Sequence, residues 1–144
     1  MAAILRILIG FIFLASGIEK LISPYQNFLY VIQAYELFPS SLEKMAAFTV
    51  PWVELFVGVF LILGLWINLS LKGALVLFGC FVVIVGQALL RKLPIDQCGC
   101  FGESIHIPPK FIIVFDSFML LMIFWLIKNP SAVSKLSLDK KTLS

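Results

Sequence analysis

The segment from Leu71 to Leu90 reads LKGALVLFGCFVVIVGQALL, and it decides the fold class. A membrane-spanning α-helix needs about 20 predominantly apolar residues to cross the hydrocarbon core. This segment has that length, and Lys72 near its start is its only charged residue. It therefore predicts a helix that spans a membrane.

Three further apolar segments predict spans at 4–22, 42–66 and 110–127. The whole chain of 144 residues is 61% hydrophobic and 13% charged, with a mean hydropathy of +1.06. Soluble domains are roughly 45–50% apolar and about 25% charged, so this composition excludes an ordinary soluble domain. We predict an all-α integral membrane protein, with a four-helix bundle over residues 1–128 and a polar C-terminal tail over 129–144.

The stretch between the first two spans, 25–38, is predicted to be an amphipathic interfacial segment. Its sequence YQNFLYVIQAYELF mixes aromatic and aliphatic residues with amides and an acid. Such a composition suits the headgroup region, where tyrosines are favoured. The residues after it, 40–43, read SSLE and predict a capping box that opens the second span.

Small residues and cysteines give further expectations. Glycines in the second and third spans should allow close helix packing; they are Gly58, Gly64, Gly73, Gly79 and Gly86. With only three cysteines, the chain is no disulfide-stapled scaffold. Cys80 in the third span is expected to be a small buried hydrophobic residue. The net charge of +3, with no basic stripe carrying interleaved aromatics, indicates no nucleic-acid partner.

Charge also predicts an orientation. An even number of spans places both termini on one side, and residues 128–144 carry four lysines against one acid. The positive-inside rule then favours cytoplasmic termini in an inner (cytoplasmic) membrane. The loop 91–109 would face the extracytoplasmic side.

Several polar residues inside the spans lie at a similar depth in the membrane. At a rise of 1.5 Å per residue, they lie roughly 5–18 Å from the membrane boundary on the side of loop 91–109. Lys20 can reach the same level by extending along its helix. Ionisable groups at this depth are costly unless they pair or face water, and so they are candidates for function. Structural ion pairs, for example between Arg91 and either acid of the inner spans, are the alternative. The members of this polar layer are Glu19, Glu54, Gln87, Arg91 and Asp116.

The loop carries the sequence Cys98-Gly99-Cys100, for which three interpretations stay open. Two thiols one residue apart can close a small disulfide ring, and strained, exposed disulfides tend to be labile or catalytic. A metal site with His106 as a third ligand is the second interpretation, although structural zinc usually takes four ligands. A structural staple of the loop is the third.

Three motifs together resemble a known family. Residues 6–20, RILIGFIFLASGIEK, resemble the first helix of DoxX-like membrane proteins, and the Pro51-Trp52-Val53-Glu54 motif resembles their second helix. The sequence 98–102, CGCFG, resembles the characteristic motif of the MauE (methylamine-utilisation) branch of these proteins. The resemblance implies a four-helix bundle in which Cys98 and Cys100 do thiol redox work, with Arg6 and Glu54 as motif positions of unknown role.

The resemblance further implies maturation of a disulfide-rich methylamine dehydrogenase subunit beside a thioredoxin-like partner in trans. Related bundles pass electrons to or from quinones, so a quinone is the one cofactor considered. We therefore predict a membrane thiol–disulfide redox protein, an electron relay or maturation factor, and leave open whether it is an oxidoreductase in its own right. The alternatives are a non-catalytic membrane scaffold subunit and a bundle that binds a small solute or lipid headgroup.

Overall fold

The computed structural model describes residues 1–94 and 107–133. Within these ranges every regular element is an α-helix: α1 (Ala2–Ile22), α2 (Tyr25–Ala34), α3 (Ser40–Leu63), α4 (Ile67–Leu90), α5 (Pro109–Lys128) and α6 (Pro130–Val133). The helices α1, α3, α4 and α5 are each long and apolar enough to cross a membrane. The predicted all-α membrane bundle is confirmed.

The turn between α3 and α4 comes earlier than predicted. Gly64 adopts a left-handed conformation with φ 69°, which ends α3 at Leu63 rather than at Trp66. Its backbone N–H donates to the Phe60 carbonyl and so satisfies one of the free carbonyls at the helix end. The helix α4 then begins at Ile67, four residues before the predicted start. Gly64 therefore acts as the C-cap of α3.

The start of α3 also differs from the prediction. Pro39 occupies the N-cap position, and no side chain caps the helix. The backbone N–H groups of Leu42 and Glu43 donate to the Pro39 carbonyl, at 2.9 and 3.2 Å. The predicted capping box is wrong, because Ser40 already lies inside the helix.

Glycines bring α1 and α3 into backbone contact. A Cβ atom added to Gly58 would lie 2.7 Å from the Leu14 nitrogen and 2.8 Å from the Gly10 oxygen. A Cβ atom added to Gly17 would lie 2.9 Å from the Leu55 nitrogen of α3. Such small residues let helices associate tightly in lipid. The prediction of close helix packing is wrong for Gly79 on α4, because an added Cβ atom would meet nothing within 4 Å.

The buried side chains form two clusters along the bundle. The larger one includes Ile9, Phe13 and Leu61, and the rings of Phe13 and Phe78 lie 4.9 Å apart. Many large apolar side chains lie instead on the outer surface, which fits a lipid bilayer environment. Cys80 is among the exposed residues, so its predicted burial is wrong. In a bilayer the outer face is as apolar as the core, and a small hydrophobic residue can occupy either.

The interfacial segment is helical and packs with one face on the bundle. Phe28 and Tyr35 are buried, whereas Tyr30 on the other face is exposed. The Tyr25 hydroxyl donates to the Lys44 carbonyl at 3.1 Å, which holds the start of α2 against α3. The helix α2 therefore lies at the end of the bundle where α1 ends and α3 begins. Its level in the headgroup region stays a prediction.

Candidate functional site

The cysteine pair, Cys98 and Cys100, lies outside the described residues, as does His106. The structure does describe the chain on either side of this segment. Leu93 and Ile107 pack against the smaller buried cluster, to which Tyr35 at the end of α2 belongs. The segment with the cysteines thus leaves α4 and returns to α5 at the end of the bundle beside α2.

A buried ion pair between Lys20 and Glu54 lies inside the bundle at this end. The Lys20 ammonium is 2.8 Å from both carboxylate oxygens of Glu54, and the two side chains are 0% and 1% exposed. The third hydrogen bond of the ammonium goes to the Ser16 hydroxyl at 2.9 Å. Ser16 in turn donates to Glu54 Oε2 at 3.2 Å. Charge and hydrogen bonds together compensate for burying both ions.

The direction of the Lys20 side chain follows from its place near the end of α1. Helical side chains tilt towards the N-terminus of their helix, so Lys20 turns back into the bundle and meets Ser16 one turn earlier. The rings of Phe28 and Phe81 lie 5.1 and 5.2 Å from its nitrogen. These cation–π contacts close the site on the side of α2 and α4.

Asp116 on α5 faces the same group of residues. It is 2% exposed, and its Oδ2 atom has no hydrogen-bond partner among the residues that the structure describes. It shares a cavity with Ser16 and Glu54, and apolar side chains that include Phe13 and Phe78 form the rest of the wall. The cavity volume is about 20 Å³, which is room for about one water molecule.

Two other members of the predicted polar layer lie elsewhere. Gln87 donates to the Tyr35 carbonyl at 3.2 Å and accepts a hydrogen bond from Arg91 at 3.3 Å. Arg91 is half-exposed and pairs with Glu36 at 3.7 Å. The alternative pairing of Arg91 with an acid of the inner spans is wrong, because Glu54 pairs with Lys20. This second cluster ties the end of α4 to the end of α2.

The remaining sequence candidates do not join the Lys20–Glu54 pair. Glu19 is half-buried, and because it is one position from Lys20 it projects from a different face of α1. Arg6 is fully buried near the start of α1, about 15 Å along the helix from Ser16. The structure therefore brings Glu54 and Asp116 together at one cavity and places the other candidates apart from it.

Ser16 and the pairing role of Lys20 were not among the predicted site residues. The sequence feature that could have indicated them is their spacing of four residues, which places the Ser16 hydroxyl and the Lys20 ammonium on one face of α1. No group of three or more histidine, cysteine, aspartate or glutamate side chains within 1–94 and 107–133 is arranged to hold a metal ion. The metal interpretation of the cysteine segment concerns residues outside those ranges.

Comparison with known proteins gives the family. The family model described as "MauE: Methylamine utilisation protein MauE" matches residues 1–129. The match spans most of the chain, so the chain belongs to the MauE family. Searches of curated proteins and of solved structures found no match.

Proposed function

We propose that this member of the MauE family is a membrane thiol–disulfide redox protein of methylamine utilisation, and that it acts through Cys98 and Cys100. The observation that carries the proposal is the Cys-Gly-Cys sequence in the polar segment between two membrane-spanning helices of a MauE protein. Glycine between the thiols gives the backbone the freedom that a small disulfide ring needs. The partner would be a thioredoxin-like or disulfide-rich protein supplied in trans.

The proposed step is a thiol–disulfide exchange. A thiolate of a partner dithiol attacks the Cys98–Cys100 disulfide, and a mixed disulfide forms as the original S–S bond breaks. The second partner thiolate then displaces the cysteine of this chain, which leaves a disulfide in the partner. Two electrons and two protons pass from the partner to the cysteine pair.

The pair must then lose those two electrons to begin another cycle. A membrane quinone is the acceptor class that we propose, which would become a quinol by taking up two electrons and two protons. The reverse direction, reduction of a partner disulfide, uses the same exchange with the pair as dithiol. The half-exposed Arg91 and the neighbouring Lys92 would favour thiolate formation in the segment that follows them.

Capture of the mixed disulfide tests this proposal. In a chain that also carries Cys80→Ser, replacing one cysteine of the pair by serine removes the resolving thiol. We expect Cys98→Ser or Cys100→Ser to accumulate a covalent complex with a partner that reductant releases, whereas Cys80→Ser alone should not. The proposal fails if neither variant forms such a complex and the double variant Cys98→Ser/Cys100→Ser supports full growth on methylamine.

The same experiment separates the alternatives. A scaffold subunit would retain its partner after loss of both cysteines, because its contacts would be non-covalent. A bundle that binds a small solute would depend on the buried acids and not on the cysteines. The cavity at those acids has room for about one water-sized molecule, which does not favour a larger solute there.

A further inference from the structure

The hydrogen bonds around Lys20 do not include Asp116 Oδ2. The ammonium donates to both oxygens of Glu54 and to the Ser16 hydroxyl. The Ser16 hydroxyl donates to Glu54 Oε2 at 3.2 Å. Asp116 Oδ2 lies buried in the cavity wall, and no donor among residues 1–94 and 107–133 forms a hydrogen bond with it. Such an oxygen is costly to bury unless something in the cavity supplies the missing interaction.

Charge counting at the cavity gives the sign of what is missing. Lys20 contributes one positive charge, and Glu54 and Asp116 contribute two carboxyl groups. The positive charge of Lys20 also acts on Asp116, but Lys20 forms its ion pair with Glu54 and balances the charge of that carboxylate. With both carboxyl groups ionised the cluster carries one uncompensated negative charge, which is expensive inside a bilayer.

No other cation among the described residues is buried at the cavity to balance this charge. Lys110 is exposed and about 9 Å along α5 from Asp116, and Glu19 beside Lys20 is itself an acid. Arg6 is about 15 Å along α1 from Ser16, and Glu43 is about 16 Å along α3 from Glu54. The helix α4 contributes only the rings of Phe78 and Phe81 to the wall. Arg91 is half-exposed and paired with Glu36.

We propose that the cavity beside Asp116 is a binding site for one monovalent cation, delivered either as a proton or as Na⁺. A proton would convert the carboxylate to a neutral acid, with one water molecule in the cavity as the exchange partner. Na⁺ would use carboxylate and hydroxyl oxygens, which are the ligands that hard cations prefer. The cavity volume of about 20 Å³ admits one water-sized occupant in either case. This site does not depend on the cysteine chemistry.

Carboxyl ¹³C NMR of aspartate-labelled protein in lipid nanodiscs tests the proposal. The chain has three aspartates, Asp96, Asp116 and Asp139, so the spectrum should show three side-chain resonances. Asp116→Asn removes and thereby assigns one of them. If Asp116→Asn does not fold, the variants Asp96→Asn and Asp139→Asn assign the other two.

Two arms distinguish the sources of the cation. In Na⁺-free buffer, a proton site predicts that the Asp116 resonance shifts over a pH range separate from that of Asp96 and Asp139. At fixed pH, an Na⁺ site predicts a saturable shift of the same resonance when Na⁺ replaces choline at constant ionic strength. Glu43→Gln removes a buried acid that does not line the cavity and should leave either response unchanged. The proposal is overturned if the Asp116 resonance follows the other two with pH and does not respond to Na⁺.

Discussion

Lys20 shows how one residue determines the chemistry of the bundle interior. Its ammonium is buried inside the bundle, and two carboxylate oxygens and a hydroxyl within 2.9 Å compensate for the lost water. A buried pair of this kind gives little net stability, but removal of one partner leaves the other charge uncompensated. The pair therefore fixes where α1 and α3 meet.

At this scale we predict that Lys20→Met destabilises the protein by about 3–5 kcal/mol, because the Glu54 carboxylate loses its counter-ion. The double variant Lys20→Met/Glu54→Gln should recover most of that loss. Reversible unfolding by SDS in mixed micelles measures both free energies.

The matched control is Arg91→Met, which breaks the half-exposed contact with Glu36 and should cost at most about 1 kcal/mol. Equal costs for Lys20→Met and Arg91→Met would show that the buried pair is not structural.

At residue scale the sequence predicted part of the site. Helical depth alone indicated that Glu54 and Asp116 lie at one level, since that depends only on the rise per residue. It could not predict that Lys20 rather than Arg91 pairs with Glu54. That pairing depends on which face of each helix points into the bundle. The inward face could not be recognised from the sequence, because the outer face of a membrane helix is also apolar.

The pairing of α1 with α3 is the tightest feature at the scale of elements. Gly10 and Gly17 on one helix and Gly58 on the other remove the side chains that would separate the backbones. The contact places Ser16 and Lys20 opposite Glu54. The geometry of the buried cluster thus depends on glycines that have no chemistry of their own.

We predict that Gly58→Ala destabilises the bundle by about 1–3 kcal/mol, because the new methyl group would overlap backbone atoms that cannot move aside. Gly79→Ala on α4 is the matched control, since its methyl group meets open space. It should be neutral or stabilise by up to about 1 kcal/mol through better helix propensity.

The same SDS titration compares the two alanine variants. An equal effect of Gly58→Ala and Gly79→Ala would contradict backbone contact between α1 and α3.

The existence of the elements was predictable, whereas their ends were not. Apolar length identified the four long helices because a bilayer demands about 20 apolar residues. The turn at Gly64 was missed, because hydropathy continues through Leu65 and Trp66 while the left-handed glycine ends the helix. Cys80 was misplaced because burial in protein and exposure to lipid select the same side chains.

At the scale of the whole molecule, polar groups concentrate at one end of the bundle. That half contains the Lys20–Glu54 pair, Asp116, the Arg91–Glu36 contact, the end of α4 and the start of α5. The cysteine segment connects α4 to α5 there. Cytoplasmic termini and an extracytoplasmic cysteine segment stay a prediction from the lysines of the tail.

The most direct test of the account is the redox state of Cys98 and Cys100. Purified Cys80→Ser protein in nanodiscs is equilibrated with glutathione buffers of increasing oxidation, alkylated at low pH and weighed as the intact chain by mass spectrometry. We predict a single two-electron transition between a species with two alkyl groups and a species with none. A chain that remains doubly alkylated across the whole series would contradict the redox role.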